Sequence, residues 1–121
     1  HLNPDLLRYE HHRVWVVETT VKKSTSHLYS RRTFHFDEDS WQALVIDQYD
    51  NSGKIWRVSE AYPIIYYDIP AIYDTMISHY DLQNGRYLTI GISAAGQVER
   101  FDVVFKDKDF SPAALARRGR R

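Results

Sequence analysis

The 121-residue sequence contains no cysteine, which excludes disulfides, zinc–thiolate sites and thiol catalysis together. It also lacks an excess of either charge, since 16 basic residues face 16 acidic ones. A dedicated nucleic-acid surface needs a basic surplus to displace counterions, so no nucleic-acid partner is expected. No run approaches the roughly 20 apolar residues of a membrane-spanning helix. The opening HLNPDLLRYEHHR has none of the apolar stretch of a secretory signal. Because the chain passes from polar coil straight into a strand, the expectation is a truncated piece of a longer protein. Its length suits a single unit, 1–121, burying roughly two-thirds of its unfolded surface.

What the sequence does have is aromatic bulk: nine Tyr, three Trp and five Phe. A disordered chain would lack it. From Arg13 the pattern has period two, placing Trp15, Val17, Thr19 and Val21 on one face and Val14, Val16, Glu18 and Thr20 on the other. Lys22 to Ser26 reads as a polar hairpin loop. Leu28 to Asp37 reads as a second strand, with Arg32, Phe34 and Phe36 on one side and Tyr29, Arg31, Thr33 and His35 on the other. After the acidic turn Asp37-Glu38-Asp39-Ser40, a third strand runs from Trp41 to Tyr49. Asp50-Asn51-Ser52-Gly53 closes the next hairpin, and Lys54 to Ala61 forms the fourth strand.

The stretch from Tyr62 to Pro70 is bounded by Pro63 and Pro70, which disfavour a central strand, so it reads as an extended crossover. Strands follow at Met76 to Leu82 and, across the Asn84-Gly85 turn, at Arg86 to Ser93. A last strand is expected at Val98 to Phe105. Ser111-Pro112 opens a short helix ending near Arg118, with Ser as N-cap and Pro where its missing N–H costs nothing. The expected fold is mainly β: a curved antiparallel meander of about 7 strands with a short C-terminal helix.

Catalytic and metal readings find little support. The acidic turn at Asp37 is the kind of carboxylate cluster calcium favours, but a solvated hairpin tip explains it more simply. An EF-hand register on Gly53 would put Gln48 and Ser59 where carboxylates are required. The six histidines show no ligand spacing, so no metal or other cofactor is expected. Gly91-Ile92-Ser93-Ala94-Ala95-Gly96 has one residue too many for a nucleophile elbow. Glu18 and Glu60 lie on strands, but such carboxylate pairs arise often by chance. The terminal arginines read as solvated charge. The aromatics remain: they either fill an ordinary core or line a cavity. In the second case Trp15, Val17, Phe34, Phe36, Trp41, Trp56, Tyr66 and Tyr67 are the candidate ligand-binding residues. Arg13, Arg31, Arg32 and Arg57 would then form a polar lip.

Five blocks carry a family resemblance: RYEHHRVWVVE, HLYSRRTFHFDEDSW, QYDNSGKIWRVSEA, YDLQNGRY and the closing FSPAALARRGRR. They resemble the C-terminal part of the domain of unknown function 1329 family, often labelled outer-membrane lipoprotein-sorting-like. The resemblance implies a half-open β-barrel similar to the lipoprotein carriers LolA and LolB, whose curved sheet wraps an apolar cavity. It also implies a periplasmic, non-enzymatic carrier of lipids or other hydrophobic compounds, not embedded in the membrane. Its expected partner is an outer-membrane barrel protein or an export pump. A protein-docking scaffold without a cavity is the alternative.

Overall fold

Alternation of apolar and polar side chains gives a single layer of strands. The computed structural model describes residues 2–69, 71–92 and 103–119. Among these residues lie six strands: β1 (Val14–Thr20), β2 (Arg31–Asp37), β3 (Ala43–Tyr49), β4 (Ile55–Tyr66), β5 (Ala71–Asp81) and β6 (Arg86–Ile90). They form one antiparallel sheet in sequential order, open at β1 and β6. One helix, α1 (Pro112–Arg118), follows a short 3-10 turn at Asp107–Phe110. Its N-cap is Ser111, whose hydroxyl accepts from the Ala114 N–H, as the Ser-Pro pair predicts.

Three of the five strand connections share one device. The last residue of β2, the residue after β3 and the last residue of β5 are each an aspartate that folds back on its own turn. Asp37 accepts from the Ser40 N–H at 2.8 Å. Asp50 accepts from the N–H groups of Ser52 and Lys54 at 2.9 and 3.0 Å. Asp81 accepts from those of Gln83 and Asn84 at 3.2 and 3.0 Å. Gln83 Nε2 also donates to Asp50 at 2.8 Å, clasping the β3–β4 and β5–β6 loops together. Asp37 is only 5% exposed, and Glu38 pairs with Arg13, so this turn is not the solvated tip expected from its charge.

Strand boundaries depart from the sequence expectation at identifiable residues. The first part of the stretch read as a crossover, Tyr62 to Tyr66, is the far half of β4, which runs through Pro63, and Tyr67 to Ile69 form the turn after it. A bulge between Tyr62 and Pro63 admits the proline by breaking the ladder there, and Thr75 Oγ1 donates to the Tyr62 carbonyl at 2.9 Å beside it. Its partner β5 accordingly starts at Ala71, not Met76. The third strand begins at Ala43 because Trp41 has φ +59° and belongs to the turn. Residues 28–30 precede β2 instead of extending it, and β6 stops at Ile90, before Gly91. The strand expected at Val98 to Phe105 lies outside the described residues over most of its length, and Val103 to Phe105 are not strand.

Ala114 is the one buried apolar residue among those described, so the described residues give the sheet no second layer to pack against. Its best-buried groups are small and polar, Ser59 and Ser78, at the centre of β4 and β5. On Ser78's side the N-terminal lead crosses the sheet. Tyr9 lies beside Glu60, Tyr62 and Tyr80, and burial followed by the charge of Glu60 pushes its phenol up. His12 Nδ1 lies 3.0 Å from Asp37 Oδ1. The opposite side, carrying Trp15, Val17, Phe34 and Phe36, has no such strap among the described residues.

Two measurements check this account. Gly91 has φ +81°, and a Cβ there would stand 2.9 Å from the Thr75 carbonyl, whereas Gly53 has φ +80° in open space. Gly91→Ala is therefore expected to lower urea-unfolding stability by at least about 1 kcal/mol more than Gly53→Ala. The turn aspartates set an acid limit. Hydrogen bonds from Ser40 hold Asp37 below the usual carboxylate value, and the Ser52 hydroxyl with Gln83 brings Asp50 to about 2. At Asp81 burial raises the value, and donors from Asn84, Trp56 and Arg57 outweigh it to leave a net lowering. Folded values below unfolded ones give stabilisation that is complete above about pH 4 and lost as pH falls toward about 2. The urea midpoint should drop over that window, and less steeply in Asp50→Asn.

Candidate functional site

Register places a column of side chains along β1 and β2. Trp15 pairs with Phe36, Val17 with Phe34 and Thr19 with Arg32, so all six lie on one face. The rings of Phe34 and Phe36 stack with centroids 5.7 Å apart and planes 12° from parallel. Ile46 on β3 continues the apolar surface opposite Phe34. Trp15 is 54% exposed and Val17 is also exposed, while Phe34, Phe36 and Ile46 are half-buried. Four of the residues singled out from sequence, Trp15, Val17, Phe34 and Phe36, are thus brought together.

The other four lie elsewhere. Trp56 occupies the loop end of the sheet, where the register shifts between β3 and β4. Its indole N–H donates to Asp81 at 3.0 Å, its ring meets Tyr29 edge-on at 5.7 Å, and the Arg57 guanidinium lies 4.5 Å over it. Arg57 also donates to the Tyr29 hydroxyl at 2.8 Å and pairs with Asp81 at 3.4 Å. Trp41 ends the acidic turn at the opposite end of the sheet, 69% exposed. Tyr66 closes β4 at that same end, and Tyr67, 87% exposed, stands in the turn beyond it. Gln42 Nε2 donates to the Ile72 carbonyl at 3.2 Å, a bond that skips the intervening strand and ties the β4–β5 arm to the Trp41 turn.

Of the proposed lip arginines, Arg32 and Arg57 share the ring face. Arg31 lies on the other face, bound to Glu18 at 2.7 Å and stacked 3.6 Å over Tyr49. Arg13 pairs with Glu38.

A polar line crosses the ring face beside the apolar column. Gln48 Nε2 donates to Ser59 Oγ at 2.9 Å, and Ser59 Oγ lies 2.8 Å from His79 Nδ1. This is a serine–histidine contact of nucleophilic length, but the hydroxyl is buried, and the described residues place no acid against the ring. Sequence reading missed this line because its members come from three strands and meet only through register. Glu18 and Glu60 stand three strands apart in the sheet order, about 14 Å by strand spacing. Each is engaged locally, Glu18 by Arg31 and Glu60 by the Tyr62 hydroxyl at 2.8 Å.

Solved structures share this open antiparallel sheet. A Vibrio parahaemolyticus domain described as an outer membrane lipoprotein-sorting protein superposes with a TM-score of 0.56 at 17% identity, over 84% of this chain and 41% of that one. A DUF1329 family protein from Desulfovibrio piger gives 0.56 at 19% identity, over 84% and 40%. The chain belongs to the family described as Protein of unknown function (DUF1329), which matches residues 1–116. An uncharacterised protein of Pseudomonas aeruginosa is 44% identical over 122 residues, covering 100% of this chain. The chain spans 27% of that relative's length.

Trp41 supplies a test of whether its place is structural. A left-handed φ is unfavourable for a bulky side chain and natural for glycine. Trp41→Gly is expected to keep or raise urea-unfolding stability, by up to roughly 1 kcal/mol. A loss of stability would mean that the indole packs as a structural element.

Proposed function

We propose that this chain is part of a periplasmic, non-catalytic carrier or chaperone for lipids or other hydrophobic compounds. In this reading it forms the C-terminal portion of a larger half-open barrel. The observation that carries the reading is the apolar column Trp15–Phe36–Phe34–Val17 on the face that no described segment covers. Family membership, and the lipoprotein-sorting description of a structural neighbour, support it. The energetics suit such cargo: each methylene removed from water contributes about 0.8 kcal/mol, so a dozen give roughly 10 kcal/mol before ordering costs. An open surface also permits release, as transfer requires. Trp41, Trp56, Tyr66 and Tyr67 extend the contact surface toward the two ends of the sheet.

A second reading, an envelope docking scaffold, draws on the outer edges of β1 and β6, which pair with no further strand among the described residues. Such edges accept a partner strand, for example from an outer-membrane barrel protein or an export pump.

Delipidated full-length protein is expected to bind a fluorescent fatty acid, measured by titration. Trp15→Glu and Phe36→Glu should each weaken binding about tenfold or more, since losing two methylenes of burial, about 1.6 kcal/mol, already amounts to that factor. Absence of any lipid binding, or binding untouched by both substitutions, sinks the carrier reading. Co-purification with an envelope protein and no lipid in native mass spectrometry favours the scaffold.

A further inference from the structure

The ring column changes character at its loop end. Two residues along β2 from Phe34, and on the same face, stands Arg32. Its guanidinium lies 5.5 Å over the Tyr29 ring, and its Nη2 is 3.5 Å from His27 Nε2. Of the three arginines on β2 and β4, Arg31 is bound to Glu18 and Arg57 to Asp81. Arg32 has no carboxylate at ion-pair distance among the described residues. It lines a cavity of about 340 Å³ with Thr19, Thr25, His27, Tyr29 and Phe34. That volume is at the lower end of small-molecule sites. The surrounding sequence is one-sided: between Glu18 and Asp37 there are Lys22, Lys23, His27, Arg31, Arg32 and His35 and no acidic residue, in a chain whose charges cancel overall.

We infer that this cavity is a subsite for the anionic head, a carboxylate or phosphate, of an amphiphile whose apolar tail lies along Phe34, Val17, Phe36 and Trp15. The inference rests on the carrier reading and gives it a polarity. A guanidinium presents a planar fork that matches both anions, and the stack on Tyr29 fixes its orientation before a ligand arrives. Thr19 and Thr25 line the same cavity, with their hydroxyls donating to the Arg32 and Lys22 carbonyls. Four residues of strand separate Arg32 from Phe36, about 13 Å at the rise of an extended chain. Head and tail sites are thus consecutive on one pair of strands, with no turn between them.

The test compares a fluorescent long-chain fatty acid with its uncharged methyl ester on delipidated full-length protein, for the wild type, Arg32→Gln and Arg32→Lys, each first checked for an unchanged far-UV spectrum. The acid is expected to bind the wild type about tenfold more tightly than the ester. Arg32→Gln should abolish that preference while leaving ester affinity unchanged, and Arg32→Lys should retain part of it. Inorganic phosphate alone should bind only at millimolar concentration, because it lacks the tail. Equal affinity of acid and ester for the wild type, or a preference that survives Arg32→Gln, overturns the head-group site and leaves the carrier standing. Micromolar binding of phosphate alone overturns it in favour of a free-anion site. If neither acid nor ester binds, the carrier reading and the subsite fall together.

Discussion

Everything in this sheet depends on register. With one buried apolar residue among those described, these residues supply no packed interior of their own, and their cohesion falls to the antiparallel ladder and to cross-strand side-chain pairs. Side chains alternate at every residue, so a slip by one position would send Phe34 and Phe36 to the Glu18 face and bring Arg31 and His35 to theirs. The three turn aspartates guard against that slip. Each fixes where a strand ends by satisfying the backbone N–H groups of its own turn, and Asp50 holds a second loop through Gln83. Acid sensitivity and the placement of the ring column therefore share one origin.

The two faces that register creates are chemically distinct. One is busy with its own chain: the lead containing Tyr9 and His12, the Tyr62–Glu60 bond, and Arg31 between Glu18 and Tyr49. The other presents rings and aliphatic groups in a column, flanked by the Gln48–Ser59–His79 line. That polar line bounds the apolar surface laterally, its three side chains linked to one another through Ser59. The column in turn meets cationic side chains at one end and the Trp41 turn at the other. An elongated ligand with unlike ends matches this pattern better than a compact one.

Strands with clean alternation were legible in the sequence. Trp15, Val17, Phe34 and Phe36 were assigned to common faces from period two alone, and the Ser111-Pro112 helix start from capping chemistry. What failed had local physical causes. Pro63 looked like a strand breaker because a sequence does not reveal the bulge that excuses it from the ladder. Trp41 looked like a strand start because bulky aromatics favour extended backbone, whereas here the turn forces it left-handed. Asp37 looked solvated because a run of acids suggests water, though its own turn and His12 enclose it. Contacts assembled across three strands, such as Gln48–Ser59–His79, have no signature in any one segment.

The strictly sequential strand order has a kinetic consequence. Every pairing joins neighbours in the chain, so each new strand meets its partner after closing only a short loop, and the contact order stays low for an all-β arrangement. A sheet of this kind can zip from hairpin to hairpin as the polypeptide is synthesised, without waiting for distant segments. Among the described residues the order runs from β1 to β6 without a crossover, so no pairing has to wait for a strand made later than its neighbour.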